Sequence, residues 1–463
     1  MQNSQNLEPI LTTLVTGEEE EVFDALLTLF PNDKTSSTPA LTDCLVAYGE
    51  GSADVFNRFA TRFDDDVARA EFLISAAMQT QKLGNPEISN ALLIAAETKV
   101  RCIGKNMELE RARLLNKLGH KHFQSARYAE AEPLYKEALS IHRQVLNGDN
   151  LKVSISMNNL AALYFAQRRH SDAELLYEDV LSINRRVLGV FHSITSSSLN
   201  NLAGVYLVLE RYSEAEKLYE EALSISRRVS GDHHPDTAEC LNSLASLYQI
   251  QGRYSDALQL YNEALSISRN ASEEDHPDTA LSLNNLAALY FAQGLYLEAE
   301  PLLDEVLSNN RRILGSDHPD TAKSILHLAK LYRVQERFSE AEPLCEEALS
   351  INRRIWGEDH PDTATSLYQL GRLKRDQGRN SDAESLYHRA LSIRRRVLGV
   401  DHPDTAGNIN SLSELYRAQK RYDEAKQLLQ EAVEIVERVF GAEHPNTEIV
   451  RENYEVLLAE MKE

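Results

Sequence analysis

Along most of the chain, apolar residues return every three or four positions. Leu283, Leu286, Ala287 and Tyr290 fall at i, i+3, i+4 and i+7, the spacing of one face of an α-helix. A second stripe follows at Ala299, Leu302, Leu303, Val306 and Leu307. Short turns of the "QGR" or "QRR" kind separate such pairs, and Gly252, Gly294 and Gly378 are predicted to end the first helix in the left-handed conformation. The second helix is predicted to start at Ser171, Ser213, Ser339 and Ser381, where Ser-x-x-Glu matches the capping box. A hairpin of two one-sided helices cannot bury its own apolar faces. Such hairpins must therefore stack on each other as a solenoid.

The period is constant. Pro235, Pro277, Pro319, Pro361, Pro403 and Pro445 are each 42 residues apart, and the first five lie in the motif "HPDTA". The same step taken backwards lands on Ser193 and Leu151, giving eight repeats over 112–447 and a closing amphipathic helix over 448–463. Residues 1–110 depart from the pattern and are predicted to be a helical N-terminal region. In it a short acidic helical segment precedes a Ser/Thr/Pro-rich linker at 31–40. Residues from about 69 to 111 read either as a degenerate repeat, with Gly84 as its turn and Ala91 near its small position, or as helices outside the frame.

A histidine beside Asp and Thr invites a catalytic or metal reading, which the spacing opposes. Packed helices sit roughly 8–10 Å apart, whereas zinc ligands lie about 2.0–2.1 Å from one ion and a triad needs contacts of roughly 2.6–3.2 Å. Proline instead suits the first turn of a helix, and an acid just after it suits the positive end of the helix dipole. The motif is thus predicted to mark helix starts. No metal or cofactor is expected, and no GxSxG, HExxH or Gly-rich phosphate loop stands in residues 1–110 to suggest an enzyme.

The balance of 49 Lys plus Arg against 71 Asp plus Glu gives a formal charge of -22, which disfavours nucleic acid and anionic membrane as general partners. Cys44, Cys102, Cys240 and Cys345 are scattered and show no CxxC spacing, which fits a reducing compartment. No apolar run approaches the ~20 residues of a membrane span, and "MQNSQNLEPILTTLVTGEEEE" lacks a leader pattern. A cytoplasmic protein is expected.

The small residue after Leu286, the tyrosine four residues beyond that leucine, and Ala299 with its following apolar positions resemble the tetratricopeptide repeat. The 42-residue unit with "LNNLA", "QGRY", "AEPLY" and "LGxDHPDTA" is similar to the repeats of kinesin light chains and of related bacterial, often cyanobacterial, proteins. The resemblance covers about three quarters of the chain. It implies an all-α, right-handed superhelical solenoid. Kinesin light chains carry a heptad-rich coiled coil ahead of their repeats, and nothing here sustains heptads, so a motor-subunit role is not expected.

Beside the buried stripe of each first helix runs a second stripe, which would line the inner surface shared by successive repeats. Its first half offers Asn158, Asn200, Asn242 and Asn284, with Asn159, Asn201 and Asn285 doubling the amide column. Amides both donate and accept, so such a ladder can pair with the backbone of an extended peptide. Its later half offers Lys323, His327, Lys330, Arg333, Arg372, Lys374, Arg375 and Arg417, which suit carboxylates. In the kinesin light chain family, the resemblance implies, the "LNNLA" asparagine and basic residues further along that helix hold extended, notably acidic, peptides. That role would fall here on Asn159, Asn201, Asn285, Arg333, Arg375 and Arg417. The expected function is capture of an extended, acidic segment of a partner protein. The alternative is a structural or self-associating scaffold, in which the asparagines bond to the neighbouring repeat and the arginines pair with acidic neighbours.

Overall fold

The computed structural model describes residues 56, 57, 60, 61, 63, 65–82, 86–146, 148–271, 277–440 and 445–461. The acidic N-terminal segment, the 31–40 linker, Cys44, Gly84, His276 and His444 lie outside the described residues. Among the described residues there are nineteen α-helices, one 3-10 turn and no strand. They form two compact units, one ending at Gly148 and including Arg354–Gly357, the other holding Asp149–Arg353 and the chain from Glu358.

In the first unit, α1 (Asp66–Lys82) and α2 (Pro86–Cys102) form a hairpin packed on α3 (Glu108–Gln124), which pairs with α4 (Tyr128–Val145). Phe56, Phe72, Leu92, Leu115 and Leu118 share its core. Ala91 is exposed and does not fill the small position. That place belongs to Ser89, one 42-residue step before the buried Ala131, and its Oγ donates to the Ala77 carbonyl at 2.8 Å. The hairpin thus keeps the packing register although the sequence motif has faded.

The second unit is a stack of hairpins: α5 (Leu151–Ala166) with α6 (His170–Val187), α7 (Ser193–Val208) with α8 (Tyr212–Val229), α9 (Pro235–Ile250) with α10 (Tyr254–Ala271), and α11 (Pro277–Ala292) with α12 (Tyr296–Ile313). These are followed by α13 (Pro319–Val334) and α14 (Phe338–Trp356), α15 (Pro361–Asp376) with α16 (Asn380–Val397), and α17 (Pro403–Ala418) with α18 (Tyr422–Phe440). The last helix, α19 (Pro445–Glu460), starts at the frame's proline rather than at 448. It takes the place of a first helix in the 42-residue frame, and Val450 and Leu457 join the last core cluster. Within hairpins, small residues such as Ala161 with Ala173 and Ala203 with Ala215 are fully buried. Between hairpins, α6 packs on α7, α8 on α9, α10 on α11, α12 on α13, α16 on α17 and α18 on α19.

At α9, α13, α15 and α17 the "HPDTA" motif starts the first helix through a set of local contacts. The histidine is the N-cap: the backbone N–H of Asp236 donates to Nδ1 of His234 at 3.2 Å, and Asp320, Asp362 and Asp404 do the same to His318, His360 and His402. Proline follows at the first turn. The threonine hydroxyl then reaches back six residues to a glycine carbonyl, as in Thr237 to Gly231 and Thr321 to Gly315, both at 2.8 Å. Those glycines have φ of 102° and 94°, a conformation that L side chains adopt only with strain.

The N-caps of the second helices lie two residues before the predicted serines, and the helices start one residue before them. Arg169, Arg211 and Arg379 are the N-caps, with no side-chain cap bond. The acid three residues on is present, but it turns to the arginine: Arg169 Nε donates to Asp172 at 2.8 Å and Arg211 Nε to Glu214 at 2.7 Å. Gly252, Gly294 and Gly378 take φ of 73° to 76° as predicted. Arg168, Glu210, Glu336 and Lys420 do the same job without being glycine.

The same arginines join neighbouring repeats. Arg211, Arg253, Arg337 and Arg421 reach back 37 residues to Glu174, Glu216, Glu300 and Glu384 at 2.5–2.8 Å, while their guanidinium groups lie 3.6–4.0 Å from the rings of Tyr206, Tyr248, Tyr332 and Tyr416. One junction lacks the pair on both sides, with Leu258 in the glutamate position and Leu295 in the arginine position.

Installing the missing pair with Leu258→Glu and Leu295→Arg together should raise stability by about 0.5–1 kcal/mol, with neither single change giving the gain; a urea-unfolding double-mutant cycle measures it. The caps carry a pH dependence. Burial, opposed by Asp404 and aided by Arg168 and Arg394, lowers the pKa of His402. Folding therefore favours the neutral ring, so its contribution is full above the unfolded value near ~6.5 and is lost as pH falls below it. His402→Asn keeps a capping acceptor without titrating, and its melting temperature should fall less between pH 7 and 5 than that of the parent.

Candidate peptide-binding groove

Successive first helices touch along the second unit, α7 with α9, α9 with α11, α13 with α15 and α15 with α17. Their second stripes therefore lie side by side. A hydrogen bond recurs between them at an offset of 43 residues. Asn201 Nδ2 donates to Asn158 Oδ1 at 3.0 Å, and Asn453 Nδ2 to Asn410 Oδ1 at 3.1 Å. His327 Nδ1 lies 3.1 Å from Asn284 Oδ1, and Tyr368 Oη lies 2.8 Å from Ser411 Oγ.

These bonds divide the predicted amides. Asn158 and Asn284 are engaged by the next repeat. Asn200 is half-buried and donates to Cys240 Sγ at 3.3 Å. Asn242 is 6% exposed and donates to Ser282 Oγ at 3.0 Å, so it belongs to the packing beneath the stripe and not to the groove wall. The doubling column differs: Asn159 and Asn285 are half-buried and hold no side-chain hydrogen bond among the described residues, and Asn201 is exposed with its Oδ1 uncommitted.

The cations divide in the same way. Arg333 is 9% exposed and ion-paired to Asp376, again at an offset of 43, so it too is a packing residue rather than an open binding group. Lys374 is buried against Glu342, which also accepts from Gln377 and Arg379. The Lys374 and Gln377 hydrogen bonds hold the Glu342 carboxyl down at about 2. Arg375 pairs with Glu414 at 2.9 Å and Asp376 at 3.1 Å, and Arg417 lies 3.9 Å from Glu460. Lys323 is exposed and pairs with Asp320 at 3.2 Å.

Lys330 and Arg372 are the exceptions. Neither has a carboxylate partner among the described residues. The Lys330 ammonium lies 4.5 Å from the Phe291 ring, and the Arg372 guanidinium 5.9 Å from the Tyr368 ring. Burial, and then the charges of Arg372 and Arg333, lower the Lys330 pKa. One turn before it on the helix, desolvation among its groove neighbours, and then Lys330 and Lys323, lower that of His327. Acidic partners for the arginines are expected from the sequence only in the scaffold alternative, which names neither Asp376 nor Glu414, although Asp376 stands at the same 43-residue step as the amide bonds.

Cys240 and Cys345 lie under this surface, and burial raises both thiols, Cys345 to about 12. Among the described residues no three His, Cys, Asp or Glu side chains are grouped as metal ligands, and no helix is long and apolar enough to cross a membrane.

The family model described as tetratricopeptide repeat matches residues 110–186, 194–270, 278–342 and 323–396, and a second model of that description matches 405–446. No curated protein matches the chain. Among solved structures it is similar to a kinesin light chain of Podosopora anserina with nearly identical TPR-like repeats, at 26% identity over 43% of this chain and 94% of that one, with a TM-score of 0.39. BtubC (BKLC) of P. vanneervenii is 24% identical over 53% of this chain and 92% of its own, with a TM-score of 0.39. A Rap protein complexed with competence and sporulation factor is 13% identical over 81% of this chain and 99% of its own, with a TM-score of 0.53, a likeness of fold. With the family model covering more than half of its length, the chain belongs to the tetratricopeptide repeat family.

Proposed function

We propose that the chain is a non-enzymatic interaction protein whose groove holds an extended, acidic segment of a partner protein. Tetratricopeptide repeats are protein–protein interaction modules, and the finer reading rests on one observation. On a surface where most neighbouring polar side chains hold at least one partner within the protein, Asn159 and Asn285 have no side-chain hydrogen bond, and Lys330 and Arg372 have no carboxylate, among the described residues. Amides spaced at whole repeats, at Asn159, Asn201 and, past Ser243, Asn285, can pair with a peptide backbone whatever its side chains. The two cations then favour an acidic side chain further along.

The double variant Lys330→Glu with Arg372→Glu should lower retention of an acidic peptide pool on the immobilised full chain by tenfold or more (~1.4 kcal/mol), with unchanged helicity by circular dichroism. Raising salt should weaken the parent's retention as the charges are screened. Equal retention by the double variant would remove this groove as the site. Arg333→Ala should behave differently. It leaves Asp376 short of its buried partner and should cost about 1.5–3 kcal/mol of stability, read by urea unfolding, while the retention of folded protein stays near that of the parent.

A further inference from the structure

The groove reading leaves open what kind of acidic side chain its cationic end is built for, and the charge bookkeeping of α13 and α15 bears on that. Arg333 is matched by Asp376, Lys374 by Glu342, and Arg375 by Glu414 and Asp376. On α13 and α15, Arg333, Lys374 and Arg375 are therefore each matched by a carboxylate, while Arg394 of α16, 4.7 Å from the Tyr368 ring, donates instead to the Asp404 carbonyl at 3.0 Å. Lys330 and Arg372 occupy the same helix position one repeat apart, at a step of 42 residues. They are close enough for the charge of Arg372 to act on Lys330. Their neighbours along that row are Ala288 on one side and Glu414 on the other. Glu414 is occupied, accepting from Arg375 at 2.9 Å and from Asn410 at 3.0 Å. Aromatic faces are what Lys330 and Arg372 have instead, at 4.5 Å and 5.9 Å. Such contacts contribute only ~0.5–1 kcal/mol at accessible sites.

Two adjacent positive charges thus remain uncompensated at one place on the wall. A segment lying extended along the groove turns successive side chains to opposite faces, so one side chain at a time can enter between Lys330 and Arg372. A single Asp or Glu brings one negative charge and leaves the pair half neutralised. A phosphomonoester carries about -1.5 to -2 at pH 7 and has three acceptor oxygens. It can satisfy an ammonium and the fork of a guanidinium at once.

Resting on the groove reading above, we propose that Lys330 and Arg372 form a receptor for one dianionic side chain, a phosphoserine or phosphothreonine in the extended partner segment. Partner capture would then be switched on by phosphorylation of that segment.

The test uses the immobilised full chain and three pools of seven-residue peptides, each with random flanks free of acids and a fixed central residue of phosphoserine, Glu or Ser. The phosphoserine pool should be retained about tenfold more than the Glu pool, the effect of one added charge-assisted hydrogen bond. Arg372→Gln and Lys330→Gln, each checked for unchanged helicity, should each bring the two pools level. Equal retention of the Glu and phosphoserine pools by the parent overturns the receptor and leaves the groove reading standing. A phosphoserine preference that survives both variants also overturns it. Retention of none of the pools, together with failure of the acidic pool above, removes the groove reading and the receptor with it.

Discussion

Each hairpin depends on how closely its two helices approach, and one small side chain in the first helix sets that approach. At Gly371 a Cβ would meet the Tyr387 ring at 2.8 Å, and at Gly119 the Tyr135 ring at the same distance. Alanine fills the place in most other hairpins, fully buried at 161, 203 and 245. A larger residue there would force the helices apart and cost about 1–3 kcal/mol. Because repeat proteins are held by hairpin and nearest-neighbour terms, that loss would propagate to the next hairpin. The spacing of the first helices follows from this contact, and with it the 43-residue step at which side chains meet across the inner stripe.

Most of the fold was legible in the sequence for the same reason. A fixed period of 42 residues repeats the evidence for every helix, so faded copies such as α5 and α7, which lack the proline, are still placed by their neighbours. Local chemistry was read less well. The serine of "SDAE" looked like a cap, but the three-residue turn leaves the cap position to Arg169 and its equivalents, which use the acid as an ion-pair partner. The sequence marked "HPDTA" as a helix start without assigning its histidine a part in it, and the histidine is the cap, because its Nδ1 sits where a Ser or Asp oxygen would. Ala91 stands near the small position of a possible repeat because the frame there has no anchoring motif, whereas Ser89, bonded to the Ala77 carbonyl, occupies it.

The candidate site was half legible. Periodicity places every member of the inner stripe, but which members are spent on packing depends on side chains from the next repeat. Asn242 and Arg333 have the same helix positions as accessible residues elsewhere, and they are buried because Ser282 and Asp376 happen to stand opposite. A net charge of -22 gave no hint that two cations would be left without partners. That is a property of particular neighbours and not of composition.

The row that contains those two cations explains why the groove changes character along its length. It runs Ala162, Gly204, Ser246, Ala288, Lys330, Arg372 and Glu414. Where the row is small, the adjoining column of Asn159, Asn201 and Asn285 supplies the longer polar side chains. A passing backbone is the chemistry such amides can reach. Where the row becomes Lys330 and Arg372, long side chains replace the small ones, and in the proposed groove a ligand would meet charge rather than amide. Glu414 then ends the row, engaged with Arg375, and closes the positive stretch on its far side. One sequence position, varied repeat by repeat on a constant frame, therefore sets both the reach of the amide ladder and the limits of the cationic patch.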